Sequence, residues 1–229
     1  MKKQNHTGIL EINYAKERIS KRSLKYRLRR RSDEVFCALD RFASNKPLEN
    51  IVDLGTADGR MLNEIKKRLK RSKCIGVEYG DELVKYGKMH FQEINVIQGD
   101  IQDLPFADQS FDVATLTAVI EHLPKPEKAI QEASRILKPG GILIVTSPDP
   151  FWEHMATKVG HLKDGQHHKV MNITELTQLI EQNKFKLLTS KKFMLSPIGM
   201  PYELKIERWI RKLKIDFMLA NQLLVAERI

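Results

Sequence analysis

Short apolar runs alternate with amphipathic helical segments along most of this chain of 229 residues. After the first run, for example, Met61, Leu62, Ile65 and Leu69 recur at helical spacing. The runs predicted as strands cover residues 51–54, 74–78, 95–101, 111–117, 142–146, 185–196 and 222–226. Strands that alternate with helices in this way predict an α/β fold, built on a mostly parallel sheet of seven strands.

The N-terminal part of the chain lies outside this alternation and is predicted to be helical. One or two helices are expected from about residue 20 to residue 44, with Ser32 as an N-cap if the helix is broken there. We therefore interpret residues 1–45 as a basic N-terminal helical arm and residues 46–229 as the main domain.

Further helices are predicted between and after the strands. They cover residues 127–137, 151–162 and 173–182, and the last would be capped by Asn172 or Thr174. A helical insertion at about 197–217 separates the last two strands.

The segment from Asp53 to Gly59 joins the first strand to the next helix. Gly55 and Gly59 allow the backbone to turn tightly and to approach a ligand closely. The first N–H groups of the helix are expected to stay free and to face the same space. Ligands of open parallel sheets bind at the carboxyl ends of the strands, where this loop would lie. Because a carboxylate repels a pyrophosphate, Asp53 favours a ligand that carries an ammonium or a sulfonium group.

The residues Val52-Asp53-Leu54-Gly55-x-x-x-Gly59 resemble the first motif of class I S-adenosylmethionine-dependent methyltransferases, although Ala57 stands where the family usually has a middle glycine. The resemblance continues at Glu78, at Gly99-Asp100 and at Lys138-Pro139-Gly140-Gly141, and it covers roughly residues 47–149. It implies a Rossmann-like sheet with helices on both faces, and a methyltransferase domain over residues 46–229. The methyl donor would be S-adenosylmethionine and the product S-adenosylhomocysteine.

The same resemblance implies roles for residues at the strand ends. Glu78 would accept hydrogen bonds from both ribose hydroxyls of the donor. Asp100 would accept one from the adenine amino group while Ile101 covers the ring, and Asp53 would pair with the ammonium group. The expected cofactor-binding residues are Asp53, Gly55, Thr56, Ala57, Gly59, Glu78, Tyr79, Asp100, Ile101, Thr117 and Ala118.

His122 follows the predicted fourth strand by five residues and is the candidate catalytic residue. It would act as a general base if the methyl acceptor is an oxygen or a nitrogen that must lose a proton. The alternative is that His122 packs over the cofactor or bonds a backbone carbonyl group. His167 and His168 are the next candidates, and no metal site is expected because a third ligand is missing.

The absence of two sequence features narrows the range of possible methyl acceptors. Residues Leu116-Thr117-Ala118-Val119 do not resemble the Asn/Asp-Pro-Pro-Tyr/Phe motif of methyltransferases that act on planar amino groups. No cysteine follows the fourth or fifth strand, which argues against covalent methylation of pyrimidine C5. The chain is most similar to the subfamily that acts on small molecules, quinone-type lipids and saccharide or lipid precursors. A dinucleotide-dependent oxidoreductase is disfavoured because the chain has no G-x-G-x-x-G in this loop.

The formal net charge of +10 is concentrated at the N-terminus. Residues 1–31 contain 11 Lys and Arg against two Glu, whereas the rest of the chain contains 28 basic and 27 acidic residues. Residues 16–31 would form either a solvated helix face or an arm that binds the phosphates of nucleic acid, an anionic lipid or a phosphorylated acceptor. A nucleic-acid methyltransferase or binder is therefore the alternative function.

A second basic segment lies within the predicted insertion. In residues 204–214, Leu204, Ile206, Trp209, Ile210 and Leu213 are interleaved with Lys and Arg, which predicts an amphipathic basic helix. This helix would be either a lid packed on the sheet or a contact with a membrane surface or a lipid-linked acceptor.

The remaining sequence features point to a cytoplasmic protein, with peripheral contact to a membrane as a further option. The basic start of the chain is not followed by the apolar segment of a signal peptide, and no run reaches the length of a transmembrane helix. Cys37 and Cys74 have neither metal-binding nor redox spacing and are expected to be ordinary reduced thiols.

Overall fold

The computed structural model describes residues 12–158 and 170–229. The strands are β1 (Asn50–Leu54), β2 (Lys73–Glu78), β3 (Asn95–Gln98), β4 (Phe111–Thr117), β5 (Leu137–Pro148), β6 (Phe185–Phe193) and β7 (Asn221–Arg228). The helices are α1 (Ile12–Ser20), α2 (Arg22–Phe42), α3 (Arg60–Arg68), α4 (Asp81–His90), α5 (Pro126–Ile136), α6 (Pro150–Lys158), α7 (Ile173–Glu181) and α8 (Glu203–Lys212). Two 3-10 turns cover Ile120–His122 and Asp216–Met218.

The seven strands form one sheet in the order β3-β2-β1-β4-β5-β7-β6. Strands β1 to β5 pair in parallel, and β7 pairs antiparallel with both β5 and β6. The carboxyl ends of β1 to β6 therefore lie at one edge of the sheet. The predicted α/β fold with a mostly parallel seven-stranded sheet is confirmed.

Helices cover both faces of the sheet, because alternate residues of the strands enter two different apolar clusters. Ile51 of β1 packs in the cluster that includes Val35 of α2 and Leu62 of α3. Its neighbour Val52 packs in the other cluster, with Ile130 of α5 and Leu176 of α7. The expectation of helices on both faces is therefore confirmed.

The N-terminal helices differ in one respect from the sequence prediction. The helix is broken at Lys21, between α1 and α2, and not at Ser32. Ser32 lies within α2, where its hydroxyl donates a hydrogen bond to the carbonyl oxygen of Leu28 at 3.0 Å. The condition for an N-cap at Ser32 is therefore not met, and the side chain bonds back into the preceding turn instead. The division of the chain at residue 45 stays a prediction.

Other element ends are close to their predicted positions. Asn172 caps α7, and it accepts hydrogen bonds from the backbone nitrogens of Thr174 and Glu175. Strand β5 begins at Leu137, so the predicted stop at 138–141 lies within the strand, where its register shifts against β4. The helix predicted at 151–162 is α6, and its last part lies outside the described residues.

The insertion between β6 and β7 contains α8 and the second 3-10 turn. No helix of residues 12–158 or 170–229 is long and apolar enough to cross a bilayer. Across the same two ranges, no group of three or more His, Cys, Asp and Glu side chains is arranged to hold a metal ion. Cys37 and Cys74 are both free thiols, and burial raises the pKa of the Cys74 thiol to about 11.

Candidate active site

The loop after β1 is a tight turn with three residues in the left-handed region of backbone conformation. Gly55 and Gly59 have φ values of 77° and 76°, and Ala57 between them has φ 52°. Ala57 thus keeps the turn that the resemblance expects of a glycine, at the energetic cost of a left-handed non-glycine residue. A Cβ at Gly55 would lie 2.3 Å from Cγ2 of Val119, so this position also needs glycine because the loop after β4 packs on it.

Several backbone nitrogens of this loop and of the helix start bond within the protein. Those of Gly55 and Thr56 donate to the carbonyl oxygen of Val77 at 2.8 and 3.0 Å. The nitrogen of Arg60, the first residue of α3, donates to Oδ1 of Asp58 at 3.3 Å. The expectation that the first N–H group of this helix stays free for a ligand is therefore wrong, because Asp58 within the loop accepts it.

Glu78 ends β2 and connects it with two neighbouring segments. Its side chain bonds the glycine loop after β1, and its carbonyl oxygen accepts a hydrogen bond from Gly99 after β3. Its Oε2 accepts a hydrogen bond from the backbone nitrogen of Ala57 at 2.8 Å, and its Oε1 accepts one from that of Gly80 at 3.0 Å. Burial raises the pKa of this carboxyl above its ordinary value, the backbone donors lower it, and the charge of Asp53 adds to the rise. A carboxylate held by two amides still has lone pairs for further donors.

Asp53 is only 1% exposed to solvent and lies in β1, which pairs with β4. Its Oδ1 accepts a hydrogen bond from the hydroxyl of Thr115 at 2.6 Å. Burial raises the pKa of the Asp53 carboxyl, while the hydrogen bond from Thr115 and the charge of Arg18 act in the opposite direction. Asp53 and Glu78 are thus two buried acids close enough to affect each other.

Asp100 follows β3, the strand that pairs with β2. The backbone nitrogen of Gly99 donates to the carbonyl oxygen of Glu78 at 3.0 Å, which brings the ends of β2 and β3 together. Oδ1 of Asp100 accepts hydrogen bonds from the backbone and the side chain of Gln102 at 2.9 and 3.1 Å. Ile101 is buried, whereas Tyr79 is exposed. The three acids predicted from the sequence therefore stand at the ends of three adjacent strands.

The end of β4 contributes hydroxyl groups and the candidate base. The buried hydroxyls of Thr117 and Thr146, which are paired across β4 and β5, have no hydrogen-bond partner within the described part of the chain. Ala118 has φ 53° and donates its backbone hydrogen bond to the carbonyl oxygen of Thr146 at 2.8 Å. His122 is half-buried in the 3-10 turn that follows. His167 and His168 lie outside the described residues.

The sequence did not reveal that α1 covers this site. Ala15 of α1 packs against Ala57 of the loop and Leu83 of α4. Nη1 of Arg18 lies 2.6 Å from Oδ1 of Asp58, whose side chain is completely buried. The sequence shows Asp58 only as a second acid in the loop, with nothing to indicate a partner 40 residues earlier.

Some arginines of the basic N-terminal segment make contacts within the protein. Arg30 is buried and lies 2.9 Å from both carboxylate oxygens of Glu207. Arg31 donates to the side-chain oxygen of Asn221, and Arg18 bonds Asp58 as described. The arginines of residues 16–31 are therefore not simply a solvated helix face.

Comparison with known proteins identifies the class of the central segment. Residues 52–145 match a family model described as a methyltransferase domain. Over 140 residues the chain is 27% identical to a probable S-adenosylmethionine-dependent methyltransferase of Mycolicibacterium smegmatis, a match that covers 60% of this chain and 52% of the relative. Over 116 residues it is 33% identical to a ubiquinone/menaquinone biosynthesis C-methyltransferase of Geotalea daltonii, covering 46% and 49%. The chain thus spans about half the length of these curated relatives.

Solved structures share the fold over most of the chain. A structure of geranyl diphosphate methyltransferase in complex with S-adenosylmethionine has a TM-score of 0.64. It is 16% identical to this chain, and the match covers 86% of this chain and 85% of the other. At this identity the likeness supports the fold alone.

Proposed function

We propose that this chain transfers a methyl group from S-adenosylmethionine to a small-molecule acceptor, because residues 52–145 match a methyltransferase domain and a relative is named as a probable S-adenosylmethionine-dependent methyltransferase. The proposal includes S-adenosylhomocysteine as the product and the cytoplasmic location predicted from the sequence.

The observation that carries the proposal is the environment of Glu78. Its carboxylate is buried at the end of β2 and oriented by the backbone nitrogens of Ala57 and Gly80. Burying a carboxylate is costly unless donors surround it, and the raised pKa reflects that cost. Two ribose hydroxyls would supply the missing donors in a bidentate arrangement. The unpartnered hydroxyl of Thr117 on β4 supports the same conclusion, since a ligand at this edge would complete its hydrogen bonding.

The other strand-end residues fit the remaining parts of the donor. Asp100 would accept from the adenine amino group, Ile101 would cover the adenine ring, and Asp53 would balance the ammonium group. The donor supplies an electrophilic methyl group on a sulfonium. The protein then has to align the acceptor with this group and to exclude water. Helix α1, which packs on the glycine loop, would serve the second purpose.

His122 is proposed as the group that takes a proton from the acceptor. It lies in the 3-10 turn after β4, and the edge where that strand ends is also the edge where Glu78 ends β2. A histidine has an ordinary pKa near neutrality, so it can accept a proton from a weakly acidic hydroxyl at physiological pH.

For the acceptor, we propose a quinone-type lipid within the wider class of small molecules. The support comes from relatives at about one third identity that are named as menaquinone or ubiquinone methyltransferases.

Two measurements test the proposal. Calorimetry should show binding of S-adenosylhomocysteine and none of NADH, and the reverse would point to an oxidoreductase. Transfer of label from methyl-labelled S-adenosylmethionine should then be measured with a short-chain demethylmenaquinol as acceptor. Binding without transfer to this acceptor would keep the methyltransferase proposal and reject the quinone.

A further inference from the structure

Helix α8 contacts the rest of the protein through two buried glutamates. Glu203 and Glu207, one turn apart, are both buried. Glu207 pairs with Arg30 of α2 and accepts a hydrogen bond from the backbone nitrogen of Met194 at 3.0 Å. Glu203 accepts hydrogen bonds from the backbone nitrogen of Leu195 at 2.9 Å and from the hydroxyl of Tyr26. Of the apolar residues of the predicted basic helix, Ile210 is buried and Ile206 is half-buried, whereas Leu204, Trp209 and Leu213 are exposed.

This attachment leaves apolar side chains of the insertion in solvent. Trp209 is 67% exposed and Tyr202 is 74% exposed. The large apolar side chains exposed in this segment are Ile198, Met200, Tyr202, Leu204, Trp209, Leu213 and Phe217. Single exposed apolar residues are common on protein surfaces, but seven of them within 20 residues are typical of a surface that binds a partner.

The charges around these residues are almost all positive. Lys205, Arg208, Lys212 and Lys214 are exposed on the same segment, where Asp216 is the exposed acid. Within the described ranges, none of these four basic side chains makes an ion pair. The surface therefore combines apolar and basic groups, as interfacial helices do.

An open concavity of about 430 Å³ adjoins this segment and adds three more cations. Arg22, Lys25 and Arg29 of α2 line one side of it, and residues 198–201 of the insertion line the other. All three side chains are exposed, and none is paired with an acid in the part of the chain that the structure describes. Three exposed cations at one concavity favour a phosphate group as its occupant, and the nearby carboxylate of Glu203 is buried and accepts hydrogen bonds from Tyr26 and Met200.

The position of this surface relates it to the active site. Because β5 and β6 both pair antiparallel with β7, they run in the same direction, and β6 ends at the edge where β4 and β5 end. The insertion follows β6 directly. Trp152 of α6, the helix after β5, donates a hydrogen bond from Nε1 to the carbonyl oxygen of Phe217 at 2.9 Å. The insertion therefore lies at the end of the sheet that carries the candidate active site, and it contacts the helix that follows β5.

We propose that this docking surface, formed by residues 198–217 with Arg22, Lys25 and Arg29, binds a membrane of anionic lipids. The cations of α2 hold lipid phosphates at the concavity, and the exposed apolar side chains enter the interface between headgroups and acyl chains. Nucleic acid is a poorer fit, because a phosphate backbone gives no reason for seven exposed apolar side chains. The proposal of membrane binding depends only on the residues of this surface. Its consequence, that a lipid-soluble acceptor enters the site directly from the bilayer, rests on the proposed function.

Vesicle co-sedimentation of the full chain tests the docking. The wild-type protein should bind vesicles of phosphatidylcholine with phosphatidylglycerol, and it should bind vesicles of phosphatidylcholine alone far more weakly. Each basic residue at such a surface changes the partition coefficient about fivefold. The triple variant R22E/K25E/R29E should therefore bind more than about 100-fold more weakly.

The matched control is K70E/R71E/K73E, which changes the same number of charges. These three exposed residues lie just before β2 and at its first residue, at the end of the sheet opposite to the carboxyl ends of the strands. The control variant should bind vesicles nearly as well as the wild type. Unchanged calorimetric binding of S-adenosylhomocysteine and an unchanged circular dichroism spectrum would show that each triple variant is folded. Equal losses in the two variants would reduce the effect to net charge and overturn the proposal.

Two further measurements address the apolar part of the surface and the competing partner. In a W152F background, Trp209 is the remaining tryptophan, and its emission should shift to the blue when anionic vesicles are added. An unshifted spectrum on bound protein would overturn the insertion of Trp209. An RNA oligonucleotide that binds more tightly than the vesicles, with the same loss in R22E/K25E/R29E, would assign the surface to nucleic acid instead.

Discussion

Nη1 of Arg18 lies 2.6 Å from Oδ1 of Asp58, although the two residues are 40 positions apart in the chain. Arg18 belongs to the N-terminal helix α1, and Asp58 belongs to the glycine loop after β1. The Asp58 side chain is completely buried and also lies 3.3 Å from Nε of Arg60. This pair, together with Ala15 packed on Ala57, fixes α1 over the loop that carries the cofactor motif.

Replacement of Arg18 by alanine should loosen α1 and destabilise the protein. The change leaves Asp58 with Arg60 as its remaining ion-pair partner among the described residues, and a lost hydrogen bond to a buried charge costs about 1.5–3 kcal/mol. Urea unfolding gives the free energy, and hydrogen exchange should show faster exchange in residues 12–20. The control is Lys21→Ala, since the exposed pair of Lys21 with Glu17 should be worth less than about 1 kcal/mol. Equal small losses in both variants would mean that the buried pair does not hold the helix.

Glu207 should be among the residues of α8 whose replacement is most costly. Glu207→Gln leaves the buried guanidinium of Arg30 without its closest anion, and breaking a buried ion pair costs about 3–5 kcal/mol. Lys212→Ala, on the exposed face of the same helix, should change the free energy of unfolding by less than about 0.5 kcal/mol. Thermal and urea unfolding of both variants check this. A loss below about 1 kcal/mol for Glu207→Gln would show that α8 is held by other contacts.

The sequence was sufficient for the fold and for the strand-end acids, because both depend on local patterns. The position of Glu78 at the end of an apolar run was enough to place it at the end of β2, whereas its hydrogen bond from Ala57 is known only from the structure. The contacts of Arg30 with Glu207 could not be predicted in this way, since 177 positions separate these residues and nothing in either segment specifies the other. The basic composition suggested a free arm, whereas the inward acids of α8 hold part of it against the protein.

The site itself was predicted less completely than the fold. Asp58 was visible in the sequence only as a loop residue, yet it accepts the first N–H of α3 and pairs with α1. The packing of Val119 on Gly55 depends on how β4 and β1 pair, which no local pattern specifies.

Affinity for S-adenosylhomocysteine should fall on acidification, beginning at a higher pH than for an ordinary carboxylate. Burial raises the pKa of Glu78 above its ordinary value of 4.5, and only the ionised form is a full acceptor for two hydroxyls. As the pH falls through this raised pKa, the carboxyl becomes protonated in the free protein and binding weakens. Burial raises the pKa of Asp53 in the same direction from 3.8. Calorimetry at decreasing pH checks this, and constant affinity down to pH 4.5 would contradict it.

Replacement of His122 by glutamine should slow the chemical step without affecting donor binding. A positioned general base contributes about 10²–10⁴-fold to the rate, so kcat should fall by at least about 100-fold. Steady-state kinetics with the acceptor found by the transfer assay, beside calorimetry with S-adenosylhomocysteine, separates the two effects. Weaker binding of S-adenosylhomocysteine with little change in kcat would instead show that His122 packs over the cofactor.

The role of Glu78 in donor binding is tested most directly by calorimetry of S-adenosylhomocysteine with the wild type, Glu78→Gln and Glu82→Gln at neutral pH. Glu82 is the matched control, because it is an exposed glutamate in the first turn of α4, four residues after Glu78. We expect Glu78→Gln to weaken binding by at least about tenfold and Glu82→Gln to bind as the wild type does. Affinity of Glu78→Gln within about twofold of the wild type, or no binding by the wild type, would contradict this expectation.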